Sequence, residues 1–195
     1  MGNSYEGTKF RTILKEKPVN SIFSKDIIYW SHLLAKKGCA PALEGGYGGN
    51  LSLRENCSFI ITASGADLRE LKNEEIVKVL KTDIDNRKLV AEGMMLPSSE
   101  SLLHAAVYHQ RPEIMAVFHG HYPVSEENFI KIDLPITEKE TEYGSIELIN
   151  EILSILNDHN FILIKNHGFL SLGRTPHEAG NRILNICTKA KSITS

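Results

Sequence analysis

Residues 96–121, LPSSESLLHAAVYHQRPEIMAVFHGH, decide the fold. The spacing predicts a serine-capped helix, a turn at Arg111-Pro112, and a strand ending in His119-Gly120-His121. Ser98 and Ser99 can each cap the helix, and free N–H groups at a helix start attract anions. A strand alternates its side chains with period two, so His119 and His121 point to one face. Two imidazoles placed that way can chelate one divalent ion. Glu100 precedes His104 by one helical turn, and a carboxylic acid near a polarised carbonyl suits proton transfer. His104 and His109 are read as packing or surface histidines.

Downstream, residues 122–144 read as a loop with Pro123, Pro135 and many acids, and Ile132 to Ile136 as a short strand. Ser145 opens a helix through Asn157, with Ile146, Ile149, Ile152, Leu153 and Leu156 on its apolar face. Phe161 to Ile164 is continuously apolar and reads as a buried strand. It runs into Lys165-Asn166-His167-Gly168, which suits His167 as a third metal ligand. Thr175-Pro176-His177-Glu178 is a capping box with proline at the first helical position, opening a last helix through about Lys189.

Upstream, residues 1–23 are polar and mixed and read as an N-terminal arm, ahead of a single domain over 24–195. Ser24 reads as the cap of a helix carrying Ile27, Ile28, Trp30, Leu33 and Leu34, ended by Gly38. Glu44-Gly45-Gly46-Tyr47-Gly48-Gly49-Asn50-Leu51-Ser52 is a glycine loop whose backbone N–H groups can reach a ligand, with the Asn50 amide beside them. Leu51 to Arg54 and Phe59 to Thr62 form a hairpin, and Ala63-Ser64-Gly65 after it suits a second anion-contacting loop. Strands are expected from Ile76 to Leu80 and from Lys88 to Glu92, turned by Asn86-Arg87.

The 195 residues suit one domain with a full core: 42% are hydrophobic and 24% charged. A net charge of −2 without a basic block argues against nucleic acid. Cys39, Cys57 and Cys187 are odd in number and lie far apart, with no Cys-x-x-Cys spacing. They fit free thiols in a reducing cytoplasm rather than thiolate zinc ligation. No apolar run has membrane-span length, no basic-then-apolar signal opens the chain, and Glu6 spoils a myristoylation start at Met1-Gly2.

Taken in order, Gly49-Asn50-Leu51-Ser52, Ile61-Thr62-Ala63-Ser64-Gly65, Ser98-Ser99-Glu100, His119-Gly120-His121 and Asn166-His167-Gly168 resemble the pattern of the class II aldolase/adducin family, over roughly residues 24–190. Its members include L-fuculose-phosphate aldolase, L-ribulose-5-phosphate 4-epimerase and methylthioribulose-1-phosphate dehydratase. The resemblance implies a three-layer α/β/α sandwich around a central, mainly antiparallel sheet, assembled as a homotetramer. It implies zinc, or another divalent metal such as manganese or cobalt, on His119, His121, His167 and Glu100, with Glu100 as acid and base. It implies substrate phosphate at Asn50, Ser64, Gly65, Ser98 and Ser99. The implied activity is metal-dependent retro-aldol cleavage, through an enediolate, of a small phosphorylated ketose such as L-fuculose 1-phosphate.

Two departures stand out. The stretch 122–144 is shorter than the family's insertion, and the chain ends soon after its last helix. Tyrosines that complete aldolase and epimerase sites come from those regions, and neither Tyr122 nor Tyr143 aligns with them. Dehydration and 4-epimerisation are the neighbouring chemistries, and Glu100 disfavours the epimerase, where aspartate is typical. The competing reading is an adducin-like assembly module without catalysis. Such modules have generally lost the metal ligands that this chain retains.

Overall fold

The computed structural model describes residues 9–43 and 46–193. Ten strands and five helices follow in the order β1 (Arg11–Glu16), α1 (Ser24–Lys36), β2 (Ala42–Leu43), β3 (Gly46–Tyr47), β4 (Asn50–Glu55), β5 (Ser58–Thr62), β6 (Ile76–Asp83) and β7 (Lys88–Gly93). Then come α2 (Ser101–Gln110), β8 (Ala116–Gly120), α3 (Glu126–Ile130), α4 (Ile146–Leu156), β9 (Phe161–Ile164), β10 (Gly168–Gly173) and α5 (Pro176–Ser192). Eight strands form one sheet in the order β1-β7-β6-β5-β4-β8-β10-β9. All its pairings are antiparallel except β1 with β7. Helices α1, α3 and α5 pack together on one side of the sheet, and α2 packs with α4. The mainly antiparallel sheet flanked by helices matches the expected class. Among the described residues, no helix is long and apolar enough to cross a membrane.

Local chemistry explains the elements. In α4 the residues Leu148, Ile149, Ile152 and Leu156 are buried, and each such side chain contributes on the order of 1.5–3 kcal/mol. Ser145 caps that helix by accepting from the Leu148 N–H at 3.0 Å. Thr175 caps α5 in the same way, accepting from the Glu178 N–H at 3.1 Å. The β4–β5 hairpin turns at Asn56, φ +55°, a left-handed conformation that asparagine tolerates. Trp30 of α1 is buried against Phe118 of β8, ring centroids 6.2 Å apart.

Several expectations change. Residues 1–8 of the expected N-terminal arm lie outside the described residues, but Arg11–Glu16 is a strand bonded along β7. Ser24 is the first residue of α1 rather than its cap. The nearby serine bond runs from the Phe23 N–H to Ser21 Oγ, 3.2 Å. Residues 132–136 form no strand, only an isolated bridge between Ile136 and Leu163. The stretch 122–144 holds a short helix, α3, anchored by aromatic contacts. Tyr122 meets Phe129 at 4.9 Å and Phe129 stacks on Phe169 at 6.1 Å between ring centroids. Polar, proline-bearing sequence concealed that helix because its one large buried side chain, Phe129, gives no periodicity.

Gly180 of α5 is where that helix meets α1. A Cβ there would lie 2.2 Å from the Trp30 ring carbons Cε3 and Cζ3. Glycine-to-alanine in an exposed helix stabilises by about 1 kcal/mol, but here the buried indole must move. Gly180→Ala is expected to destabilise the protein by about 1–3 kcal/mol, read as a lower urea midpoint at unchanged slope.

Candidate active site

The centre of the sheet brings distant residues together. Asn50 of β4 stands directly opposite His119 of β8, so the two share a face. Glu100, at the start of α2, lies over that pair. Asn50 Nδ2 donates to Glu100 Oε2 at 2.8 Å, and the same oxygen is 3.4 Å from His119 Nε2. β10 pairs on the other side of β8, and the three-residue turn 165–167 before it presents His167. Asn166, φ +56°, makes that turn; its backbone N–H donates to Glu126 and its side-chain amide to Glu140.

The three imidazoles converge. Ring centroids lie 5.2 Å apart for His119 and His121, 4.8 Å for His119 and His167, and 5.1 Å for His121 and His167. One ring nitrogen from each falls within 4.8 Å of the others. His119 is buried; the other two are half-buried. The Phe169 carbonyl, 3.1 Å from His119 Nδ1, can only accept, so Nδ1 carries the hydrogen and Nε2 keeps its lone pair. That Nε2 is buried without a hydrogen-bond partner, and so is Glu100 Oε1. Unpartnered buried donor atoms beside two further imidazoles fit a divalent cation, which would satisfy both. Gly48 completes the enclosure: a Cβ there would come 2.8 Å from His121 Nε2.

Burial and the neighbouring imidazoles push His119 well below its ordinary value, and push His121 down to about 3. His119 and His121 are therefore uncharged at neutral pH, the form that binds metal. His104, fully buried on α2, is pushed down to about 3 by burial, against the opposing pull of the Glu100 charge.

A cavity opens over these rings. Asn50, Gly65, Ser98, Ser99 and Glu100 line it together with the three histidines. Ser64 lies between the lining residues Ala63 and Gly65 and is not itself part of the lining. Its N–H bonds to the Leu96 carbonyl, 2.9 Å, and Ser98 N–H bonds to the Thr62 carbonyl, 3.1 Å, so the two small-residue loops are tied together. Glu100, rather than either serine, occupies the N-cap position of α2; Ser98 contributes through its carbonyl, which accepts from the Ser101 N–H, and through its Oγ, which accepts from the Glu100 N–H at 3.3 Å. His177 is exposed, and His109 lies at the exposed end of α2.

Two tyrosines also line the cavity, Tyr47 and Tyr143. Tyr47 lies inside the glycine loop, whose Glu44 and Gly45 fall outside the described residues. Tyr143 is brought in from the stretch 122–144, with Lys9 Nζ 4.3 Å above its ring. Nothing in the sequence around it announced this, because its position depends on a fold-back of more than twenty residues.

The family model for the Class II Aldolase and Adducin N-terminal domain matches residues 25–126 and 123–192. An L-fuculose phosphate aldolase of Methanocaldococcus jannaschii is 31% identical over 143 residues, covering 66% of this chain and 74% of that protein. A methylthioribulose-1-phosphate dehydratase of Pseudoalteromonas translucida is 30% identical over 158 residues, covering 67% and 72%. Among solved structures, an L-fuculose 1-phosphate aldolase superposes with a TM-score of 0.72 at 26% identity, over 90% of this chain and 86% of that one.

The lowered histidines make stability pH-dependent. His104 and His121 have folded-state values of about 3 against an ordinary 6.5. Between those limits the unfolded chain binds protons that the folded chain does not, so stability rises with pH. The contribution is complete above about pH 6.5 and is lost as pH falls toward 3. Urea midpoints of chelator-treated protein should fall between pH 7 and 4, and His104→Asn should fall less steeply.

Proposed function

The chain belongs to the class II aldolase and adducin family, and from that premise we propose that it is a metal-dependent aldehyde-lyase. Its substrate is a small phosphorylated ketose of the L-fuculose 1-phosphate type, cleaved to dihydroxyacetone phosphate and an aldehyde. The observation that carries the proposal is the convergence of three imidazoles with a buried carboxylate beside them. A domain used only for assembly has no need of that arrangement.

In this proposal His119, His121 and His167 hold the cation, with Glu100 as a fourth ligand in the absence of substrate. Zinc suits three nitrogens and one oxygen in a tetrahedral set, and manganese or cobalt can take its place. The bound cation supplies Lewis-acid polarisation of the substrate carbonyl. Asn50 fixes one Glu100 oxygen by hydrogen bonding and leaves the other without a protein partner. That free oxygen is the one proposed to carry the proton. Cleavage breaks the carbon–carbon bond next to the carbinol, whose hydroxyl passes its proton to the Glu100 carboxylate as the aldehyde forms. The electron pair of the broken bond passes into the carbonyl and leaves an enediolate. Glu100, now the acid, returns that proton to the carbon left behind.

Gly65, Ser98, Ser99 and the Asn50 amide, which line the cavity, form the proposed phosphate end, with Ser64 next to them in the chain. Small side chains and backbone N–H groups hold a dianion there without a basic patch. The working unit is proposed as a homotetramer in the cytoplasm, each chain a single domain whose sheet includes β1. The family contains dehydratases as well as aldolases, so the products assign the reaction.

Zinc-loaded protein offered a panel of phosphorylated ketoses should release dihydroxyacetone phosphate, followed by a coupled reductase assay. Water loss without carbon–carbon cleavage would assign dehydration instead. Metal-free protein that gains no activity with zinc, manganese or cobalt would favour the assembly module. Glu100→Gln should keep its metal on the three histidines and lose at least about 100-fold in kcat; turnover at the parent rate would remove Glu100 from the mechanism.

A further inference from the structure

Strand β4 and helix α2 are joined by a buried polar ladder. Asn50, Ser52 and Arg54 alternate onto the α2 side of β4, while Glu100, His104 and Tyr108 recur one turn apart along the helix. Asn50 Nδ2 donates to Glu100 Oε2 at 2.8 Å. Ser52 Oγ lies 2.7 Å from His104 Nδ1 and 2.8 Å from the Tyr108 hydroxyl. Arg54 Nη2 donates to the Tyr108 carbonyl at 2.6 Å, and its Nε donates to the Ile114 carbonyl at 2.9 Å. Two strand residues advance about 6.6 Å and four helical residues about 6.0 Å, so three rungs stay in step. Ser52 and His104 are wholly buried, and Tyr108 nearly so.

The ladder has a functional end. Its first rung is Glu100, which lies 3.4 Å from His119. At the start of α2 the Glu100 N–H donates to Ser98 Oγ at 3.3 Å, but the Glu100 side chain itself caps no backbone N–H. Beyond its bond to Asn50, the placement of the carboxylate therefore rests on the register of the helix against β4. The middle rung sets that register, because it is buried on both sides and joins three side chains at one hydroxyl. From this geometry we infer that Ser52 and His104 are positioning residues for Glu100, acting by locking α2 onto β4 and touching neither cation nor substrate. The inference rests on Glu100 being the proton carrier of the lyase proposed above. It extends to two residues of the core that the mechanism does not otherwise use.

Two near-isosteric substitutions separate positioning from packing. His104→Asn keeps a polar atom at the Nδ1 position for Ser52, whereas His104→Leu fills similar space and offers none. Both should bind one zinc per chain. His104→Leu should lower kcat about 30-fold with KM within about two-fold of the parent, since a misplacement of about 1 Å at a reacting group costs up to a hundred-fold. His104→Asn should recover to within about three-fold of the parent. Cobalt-loaded protein gives a readout without turnover: its visible absorption should shift in the leucine variant and return in the asparagine variant.

Equal kcat and equal cobalt spectra for the two variants would overturn the inference. So would a loss in the leucine variant confined to KM. If the parent cleaves no phosphoketose, the lyase reading fails and the cobalt spectra alone decide the positioning role. Should His104→Leu not fold, Tyr108→Phe removes a single hydroxyl from the same rung. It should lower kcat about three-fold at constant KM, and parent kinetics there would equally overturn the inference.

Discussion

The pairing of β8 between β4 and β10 is the constraint on which the site depends. It sets Asn50 opposite His119 on one side and the β9–β10 turn beside the same strand end on the other. A slip of one residue in either register would turn His119 to the opposite face, toward the Trp30 side of the sheet. The apolar strands around it enforce the register. Leu51, Leu53, Val117, Phe118, Phe169 and Leu170 are all buried, and each must keep its side. Hydrophobic alternation thus does geometric work: it aims three imidazoles that are far apart in sequence.

Around those rings the protein leaves polar atoms unsatisfied. His119 Nε2, Glu100 Oε1 and Asn50 Oδ1 are buried without partners. Each such atom costs on the order of 1–3 kcal/mol, and others, Trp30 Nε1 and Ser31 Oγ among them, lie in the core away from the rings. Ser171, by contrast, sits fully buried on β10 and donates to the Ala179 carbonyl at 2.8 Å. What sets the three at the rings apart is that they lie together, beside two further imidazoles and the cavity.

Much of this was legible in the chain. Period two placed His119 with His121, and the unbroken apolar run Phe161 to Ile164 located His167 at a strand end. The capping signals at Ser145 and Thr175 were local and held. What escaped were features made by long-range closure. His104 reads as a packing histidine on its helix, and its bond to Ser52 exists only because β4 lies beneath α2. Tyr143 reaches the cavity from a stretch with no periodicity. Arg11–Glu16 alternates only weakly and becomes a strand because β7 offers an edge. Ser24 had the composition of a cap, but the helix started one residue too early for it.

The backbone beneath each imidazole is fastened by the protein itself. His121 N–H donates to the Cys39 carbonyl at 2.9 Å, His167 N–H to the Ile164 carbonyl at 3.0 Å, and His119 lies within the paired strand β8. A cation on these rings would therefore have no backbone to organise, unlike the ion of small finger domains. A socket fastened in this way would let one ion replace another without unravelling, so its occupant would follow supply and ligand preference.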